Sequence, residues 1–103
     1  MYIGTNDKDT YTQIIPTETA KEIVNNTCLN YFDGYTIQDA RGVWKDEAGK
    51  TTGENSIICY FDDADASKIH AAADEIIKKL NQSTILIEKN VIQMEYYTGD
   101  KKK

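Results

Sequence analysis

One stretch near the start of the chain is dense in side chains that form hydrogen bonds. Amides, carboxylates and a hydroxyl accompany a single cation there, and we predict that these residues bind a ligand: Asn6, Asp7, Lys8, Asp9, Thr10 and Gln13. Together with backbone N–H groups they suit a polar ligand, with the Lys8 ammonium as its charge partner. The alternative is a turn that bonds only to itself, because Asn, Asp and Thr side chains readily bond their own backbone.

Two known site patterns fit this stretch only in part. Asp7-Lys8-Asp9-Thr10 has the Asp-x-Asp spacing of aspartate-nucleophile phosphatases, but Tyr11 stands where those enzymes carry Thr or Val. That motif also follows a long buried strand in a much larger fold. A calcium-binding loop would need a preceding helix, and glycine where Thr12 stands. We therefore predict no catalytic residue and no metal site in this stretch.

A second group of candidate residues lies in a predicted strand that starts at Tyr35. Asp39 and Arg41 share one face of this strand, since side chains two positions apart point the same way. They predict either a structural salt bridge of the Asp39–Arg41 pair, with Glu54 as a further cross-strand partner of Arg41, or an arginine that binds an anionic ligand. In the second case Trp44 or Tyr35 would stack on the ligand.

The single histidine and the two cysteines predict no further chemistry. His70 lies beside the apolar stripe of a predicted helix, with no second His or Cys close in sequence to complete a metal site. Cys28 lies on the core face of a helix and Cys59 in a strand, and neither pairs with a histidine at a recognisable spacing. We expect both thiols to be reduced packing residues, and we expect no cofactor.

Two segments have the apolar spacing of three and four residues that one helix face requires. The first spans Thr17–Phe32, with a threonine cap or a Thr19–Glu22 capping box at its start. Asp33-Gly34 would end it, with the glycine in the left-handed position that follows many helices. The second spans Asp65–Leu80, with its first residue as the N-cap.

The other apolar segments alternate in the manner of strands. They are Tyr2-Ile3, Tyr35–Lys45, Asn55–Phe61 and Thr84–Glu88, with Val91–Tyr97 either continuing the last strand or forming one more. A turn over Asp46–Lys50 joins the second strand to the third. The order β-α-β-β-α-β predicts an α+β fold, a ferredoxin-like sandwich in which both helices cover one face of an antiparallel sheet.

In such a sandwich the other face of the sheet is open. The positions that alternate with the core residues are Thr36, Gln38, Ala40, Trp44, Ser56, Ile58 and Tyr60. A face that carries Trp, Tyr and Ile is too apolar to stay in water, so a second copy or a ligand is expected to cover it. We therefore predict a homo-oligomer.

The chain has 103 residues, a hydrophobic fraction of 40% and a net charge of −5. This size predicts one domain, residues 1–98, followed by a flexible basic tail, residues 99–103. The acidic surface opposes binding to duplex nucleic acid, although a local pocket can still hold a small anion. No apolar run reaches the ~20 residues of a membrane span and the start lacks the pattern of a signal peptide, so we expect a cytoplasmic protein with no membrane partner.

Four blocks of the sequence carry a resemblance. They are Tyr2-x-Gly4-x-Asn6-Asp7-Lys8-Asp9-Thr10-x-x-Gln13, Phe32-Asp33-Gly34-Tyr35-Thr36-Ile37, Ala40-x-Gly42-x-Trp44 and Asn81-Gln82-Ser83. Together they resemble a family of short proteins of unknown function from Gram-positive bacteria and their phages. The central part, Phe32–Phe61, is also similar to a larger bacterial family of unknown function with Asp-Gly-x-Thr and Gly-x-Trp blocks around a hairpin. The resemblance implies a shared fold over nearly the whole chain, and its phage members imply a counter-defence role in the host cytoplasm.

These observations lead to three hypotheses about function. The first is a non-enzymatic, oligomeric protein that binds a small polar or anionic ligand, such as a nucleotide immune signal sequestered by phage. The second is a small enzyme built on the open sheet face, with Asp39, His70 or Asp9 transferring a proton. The third is an inhibitor that contacts a basic host protein through its acidic surface and a sheet edge. No nucleophile–base pair is evident in the sequence, which favours the first.

Overall fold

The computed structural model describes residues 1–100 of the chain. Its elements follow in the order β1 (Tyr2–Gly4), α1 (Thr17–Leu29), β2 (Thr36–Lys45), β3 (Thr51–Tyr60) and α2 (Ala66–Lys79). The strands form an antiparallel sheet in the order β1-β3-β2. The α+β class is confirmed. Lys101–Lys103, most of the predicted basic tail, lie outside the described residues, and neither helix is long and apolar enough to cross a bilayer.

The core lies between the two helices and one face of the sheet. Ile3, Ile57 and Cys59 pack from the sheet against Val24 of α1 and Ile76 of α2, and none of the five is more than 1% exposed. Since apolar side chains from both helices meet this one face, both helices cover it. The opposite face stays open, as the sequence predicts.

The two cysteines are packing residues within this core. Cys28 of α1 and Cys59 of β3 are free thiols, buried and hydrogen-bonded to one another. The hydrogen bond with Cys28, together with burial, raises the pKa of Cys59. The Cys59 thiol therefore stays protonated at neutral pH.

The register of the hairpin formed by β2 and β3 determines which side chains share the open face. The strands pair one to one from Thr36–Tyr60 to Lys45–Thr51, without a bulge. Because Ile57 and Cys59 face the core, the alternation turns Tyr60 and its neighbours two positions apart to the open face. On that face, the side chain of Trp44 in β2 is 46% exposed and that of Tyr60 in β3 is 47% exposed. The pairing agrees with the predicted open-face residues.

The predicted turn between these strands is present. The backbone N–H of Asp46 donates to the carbonyl of Lys50 at 2.9 Å, and the side chain of Asp46 accepts from the N–H of Lys50 at 2.8 Å. Gly49 has a φ of 83°, a left-handed conformation that glycine adopts without steric cost.

The start of α1 differs from its prediction. The helix begins at Thr17 with Pro16 as the N-cap residue and without a side-chain cap, so neither a threonine cap nor the Thr19–Glu22 box forms. The hydroxyl of Thr17 is instead engaged by Gln13, whose Nε2 donates to it at 2.9 Å. The backbone N–H of Ala20 donates to the carbonyl of Pro16 at 2.9 Å, so the helical hydrogen bonds start without a side-chain cap.

The end of α1 also comes earlier than predicted. The helix ends at Leu29 instead of Phe32, and Asn30 follows in the right-handed conformation. The backbone N–H of Phe32 then donates to the carbonyl of Cys28 at 2.9 Å. This turn closes with right-handed residues, so the predicted left-handed glycine cap at Gly34 is not used. Helix α2 begins as predicted, because Asp65 caps it by accepting from the N–H of Ser67 at 2.8 Å.

The predicted strand Thr84–Glu88 contributes a single bridge to the sheet. The N–H of Tyr2 donates to the carbonyl of Leu86 at 2.8 Å, which places this segment beside β1. The complete ferredoxin-like topology is therefore not established. The predicted strand Val91–Tyr97 does not form in this structure.

Candidate functional site

A groove of about 580 Å³ lies on the open sheet face, where β1 ends and the polar loop begins. Its lining combines aromatic residues (Tyr2, Tyr11, Trp44), loop residues (Asn6, Asp7, Lys8), residues of β3 (Glu54, Ser56) and residues after α2 (Gln82, Ser83, Thr84), with Gly4 and Leu86 completing it. Small-molecule sites commonly measure about 300–1,000 Å³. The groove therefore has the size to hold one small molecule.

The polar loop is closed upon itself. Asn6 and Gln13 form an antiparallel bridge at its base, and the N–H of Asp7 donates to the carbonyl of Thr12 at 2.8 Å. Asp7 Oδ2 also accepts from the N–H of Asp9 at 2.9 Å. The self-bonding turn left open by the sequence is thus present, and it gives the loop a defined shape beside the groove.

Asn81, which follows α2, ties this loop to the end of the helix. Its side-chain nitrogen donates to Asp7 Oδ1 at 2.8 Å and to Asp9 Oδ2 at 2.9 Å, and its carbonyl accepts from the N–H of Lys8 at 3.0 Å. The hydrogen bond from Asn81, followed by the one from the N–H of Asp9, lowers the pKa of Asp7. Asp7 therefore remains ionised throughout the neutral range.

The backbone at Asn81 explains why its side chain reaches the loop. Asn81 has a φ of 49°, and the N–H of Gln82 donates to the carbonyl of Ile77 at 2.9 Å, which is the Schellman ending of a helix. Asparagine tolerates the left-handed conformation better than most residues with a side chain. The buried amide of Gln82 in turn donates to the carbonyl of Asn6 at 2.7 Å. We call the pair Asn81 and Gln82 the loop clamp.

Replacing Asn81 with glycine is expected to separate the two roles of this residue. Glycine keeps the left-handed backbone and removes the amide, so α2 should persist while the pKa of Asp7 rises toward its usual 3.8. A lowered carboxylate pKa stabilises the native state above pH 3.8, and that stabilisation is lost as the pH falls through the lowered value. The variant should therefore lose less stability on acidification. NMR titration of the Asp7 carboxylate measures the change directly.

The matched control for this variant is Ser83→Ala, because Ser83 is exposed and makes no hydrogen bond to the loop among the described residues. It should leave the Asp7 titration as it is in the wild type. A titration of Asp7 that is the same in the Asn81→Gly variant and in the wild type would contradict the assignment of the clamp.

Glu54 supports the loop from across the floor of the groove. Its Oε2 accepts from the N–H of Asn6 at 2.8 Å, and a Cβ built on Gly4 would lie only 2.5 Å from that oxygen. Any side chain at position 4 would therefore displace the carboxylate. Glu54 pairs in register with Gly42. The predicted partnership with Arg41 is wrong, because the alternation of the strands turns Arg41 to the other face.

Asp39 and Arg41 share the helix-covered face, while Trp44 turns to the open one. Asp39 forms a salt bridge of 3.1 Å with Lys21 of α1, and Arg41 Nη1 donates to Asn55 Oδ1 at 3.1 Å. The predicted salt bridge between Asp39 and Arg41 is therefore not formed, and each residue contacts a different group within the protein. Neither contributes to the lining of the groove.

Gln13 and Tyr35 are also engaged in internal contacts. Asn55 Nδ2 donates to Gln13 Oε1 at 2.8 Å, which continues the polar chain that starts at Arg41. The Tyr35 hydroxyl donates to the carbonyl of Asn25 at 3.1 Å, and its ring lies 5.6 Å from that of Phe61. These contacts hold the loop base and the start of β2 in place.

The groove thus brings together only part of the predicted site. Asn6, Asp7, Lys8 and Trp44 line it, whereas Asp9, Thr10, Gln13, Tyr35, Asp39 and Arg41 do not. Sequence reasoning did not single out the clamp residues or Glu54 as site residues. The signal that pointed to the clamp was the block Asn81-Gln82-Ser83.

The charged groups that line the groove differ in how fully they are engaged. Asp7 accepts hydrogen bonds on both carboxylate oxygens, and Glu54 accepts one. The Lys8 ammonium makes no hydrogen bond or ion pair with any residue from 1 to 100. The lining therefore carries one net negative charge, and its cation is available to a ligand.

A second groove of about 450 Å³ lies between the end of β3 and the start of α2. His70 lines it together with Asp62 and Asp63, and the imidazole forms no hydrogen bond within the described part of the chain. Over the same residues, no group of three or more His, Cys, Asp or Glu side chains is arranged to hold a metal ion.

Comparison with known proteins gives one family and one structural likeness. The family model described as "Protein of unknown function (DUF3574)" matches residues 1–95. No curated protein matches the chain. A phage SAM lyase in complex with S-methyl-5′-thioadenosine is similar at 21% identity and a TM-score of 0.47, over 79% of this chain and 69% of that chain. That TM-score is below the level that establishes a common fold.

Proposed function

Since the chain belongs to DUF3574, a family of unknown function, we propose from the groove itself that the protein binds a small polar molecule with a planar ring, of the nucleoside or nucleotide class. The observation that carries the proposal is the meeting of exposed aromatic side chains with an unpaired ammonium in one groove of suitable size. In this proposal the protein holds its ligand without transforming it.

Aromatic side chains supply the binding surface for the ring. Trp44 is 46% exposed on the open sheet face, and Tyr11 is 78% exposed at the tip of the polar loop. Both line the groove, together with Tyr2. A planar base that stacks on such a side chain replaces its contact with water, and every nucleobase has a face suited to stacking.

Polar groups beside these rings supply the second half of the binding site. The Lys8 ammonium is unpaired within the described chain, and the hydroxyls of Ser56, Ser83 and Thr84 lie in the same lining. A ribose suits the hydroxyls, and a single phosphate suits the ammonium. The net negative charge of the lining disfavours a polyphosphate, so the proposal is a nucleoside or a mononucleotide unit.

Calorimetric titration with adenosine, AMP and a cyclic dinucleotide tests the proposal. We expect saturable binding of adenosine or AMP, with AMP preferred because its phosphate reaches Lys8. The Lys8→Met variant should lose that preference while keeping adenosine binding, and Lys50→Met, a charge change in the hairpin turn outside the groove, should change neither. The absence of heat for all three compounds would count against the proposal.

Chromatography of the titrated compounds separates binding from catalysis. Recovery of the unchanged compound supports a binding protein, whereas conversion to a product would support the enzyme alternative. Asp9, Asp39 and His70, the predicted proton-transfer residues, do not line the groove. A reaction in the groove would instead depend on Glu54 or Lys8, and substitution of those residues would abolish it.

We extend the proposal to the sequestration of a nucleotide immune signal by a homo-oligomer. The support is the resemblance of the sequence blocks to short phage proteins and the size of the groove, about 580 Å³, which suits one nucleoside unit. A dinucleotide would therefore occupy the grooves of two copies. Binding of one cyclic dinucleotide per two chains would support this extension, and one per chain would contradict it.

A further inference from the structure

The chain after Glu88 forms an extended arm, residues 89–99, that is in neither a helix nor a strand. Every residue of this arm is exposed, with Val91 fully in solvent and Tyr96 83% exposed. Positions 89–99 take part in no backbone hydrogen bond within the described chain. The radius of gyration is 16.3 Å, against about 13 Å for a compact chain of this length. Positions 89–99 therefore have no backbone hydrogen-bond partner among the described residues, although Lys89, Asn90 and Ile92 line the second groove.

The arm has the composition of a strand. Ile92, Met94 and Tyr96 fall on one side of an extended chain, and the other side carries Val91, Gln93, Glu95 and Tyr97. The arm contains no proline and no glycine before Gly99, and its Val, Ile and Tyr residues favour strands. Monomeric proteins seldom leave so many neighbouring apolar side chains in water, so the pattern indicates a surface that another chain covers.

Strand β2 offers the matching acceptor. Among the described residues it pairs only with β3, in the order β1-β3-β2, so its outer edge presents backbone N–H and C=O groups that no described strand pairs. The strand is ten residues long and has neither a bulge nor a proline that would block a further strand. β2 carries two basic residues, Arg41 and Lys45, and one acidic residue, Asp39. Residues 91–97 of the arm carry one charged residue, the acidic Glu95. The charges of edge and arm are thus complementary.

The arm and this edge lie on opposite sides of the same sheet. The segment that leads into the arm pairs with β1 through Leu86, and β3 separates β1 from β2. The molecule measures 63 × 30 × 24 Å, which reflects an arm directed away from its own body. Each copy therefore has one donor arm and one acceptor edge. Identical copies supply arms and edges in a one-to-one ratio, which makes a second copy the matching partner.

We propose that residues 91–97 of one copy add as a strand to the β2 edge of a second copy. The backbone of the arm gains the hydrogen bonds that it lacks in the single chain. Burial of Tyr96 and Tyr97 would remove on the order of 150–250 Å² each from solvent, a substantial part of the roughly 800 Å² per partner that stable complexes use. This association goes beyond the proposed ligand binding and needs no ligand.

Sedimentation analysis of the purified full chain, with and without two prolines in the arm, tests the proposal. The wild type should be oligomeric, and the Gln93→Pro/Met94→Pro variant should raise the dissociation constant by at least about tenfold, because proline removes the N–H of whichever residue faces the edge. The Gln93→Ala/Met94→Ala variant is the matched control and should stay within about threefold of the wild type. Circular dichroism shows whether both variants keep the fold, which is expected since both positions are exposed.

Hydrogen exchange locates the contact. Amides of β2, Thr36–Lys45, should exchange more slowly in the wild type than in the proline variant, while those of α2 should not differ. A monomeric wild type, or an oligomer that the prolines leave intact, overturns the proposal. So does an oligomer that needs the arm but leaves the exchange of β2 unchanged, since the arm would then dock elsewhere.

Discussion

The Trp44→Ala variant is expected to bind adenosine about 5- to 150-fold more weakly than the wild type. Stacking of a base on an aromatic side chain contributes about 1–3 kcal/mol. Trp44 is the largest aromatic residue in the lining and is 46% exposed, so its ring is accessible to a ligand. Calorimetric titration with adenosine measures the loss.

Two further variants make this result specific. Trp44→Phe keeps a stacking ring and should recover most of the affinity. Val43→Ala changes the adjacent residue, which is 65% exposed but turned to the other face of β2, and should bind as the wild type does. Unchanged adenosine binding by Trp44→Ala would show that the groove does not recognise its ligand by stacking.

The Ile57→Ala variant is expected to lower the free energy of unfolding by about 2–5 kcal/mol, because it removes a buried branched side chain and leaves a cavity. Ile57 is fully buried on β3, the central strand, and packs in the cluster with Ile3 and Ile76. Urea denaturation followed by circular dichroism gives the change.

The adjacent Ile58 is the matched control. It has the same side chain on the same strand, but it is turned to the open face and only partly buried. Ile58→Ala should therefore cost about 1 kcal/mol or less. Equal losses for the two variants would mean that the open face is buried as deeply as the core, which would contradict the one-sided sandwich.

Local periodicity was sufficient to predict most of the fold. The apolar stripe that includes Ile69 and Ile76 located α2, and Asp65 marked its start, because both signals act within a few residues. Alternation along β2 and β3 predicted the open face for the same reason. Alternation alone predicted Thr84–Glu88 as a fourth strand, but this segment pairs with β1 through the Tyr2–Leu86 bridge only. Whether a segment pairs depends on a partner far away in sequence, which local periodicity does not describe.

The site was predicted only where local composition sufficed. The loop from Asn6 to Lys8 attracted attention because of its density of polar groups, and those residues do line the groove. The contact that positions the loop joins Asn81 to Asp7 across 74 positions of sequence. No spacing rule covers such a distance. A single step in strand register likewise decided that Arg41 faces Asn55 and not Glu54.

The loop clamp has a consequence for the motions of this protein. Because the last turn of α2 and the polar loop share the hydrogen bonds of Asn81, fraying of that turn releases both of the loop's carboxylates at once. We therefore expect the helix end and the loop to open as one cooperative unit, in the sense of a foldon. If the groove binds a ligand as proposed, the local stability of this helix terminus should then influence the rate at which the ligand enters or leaves.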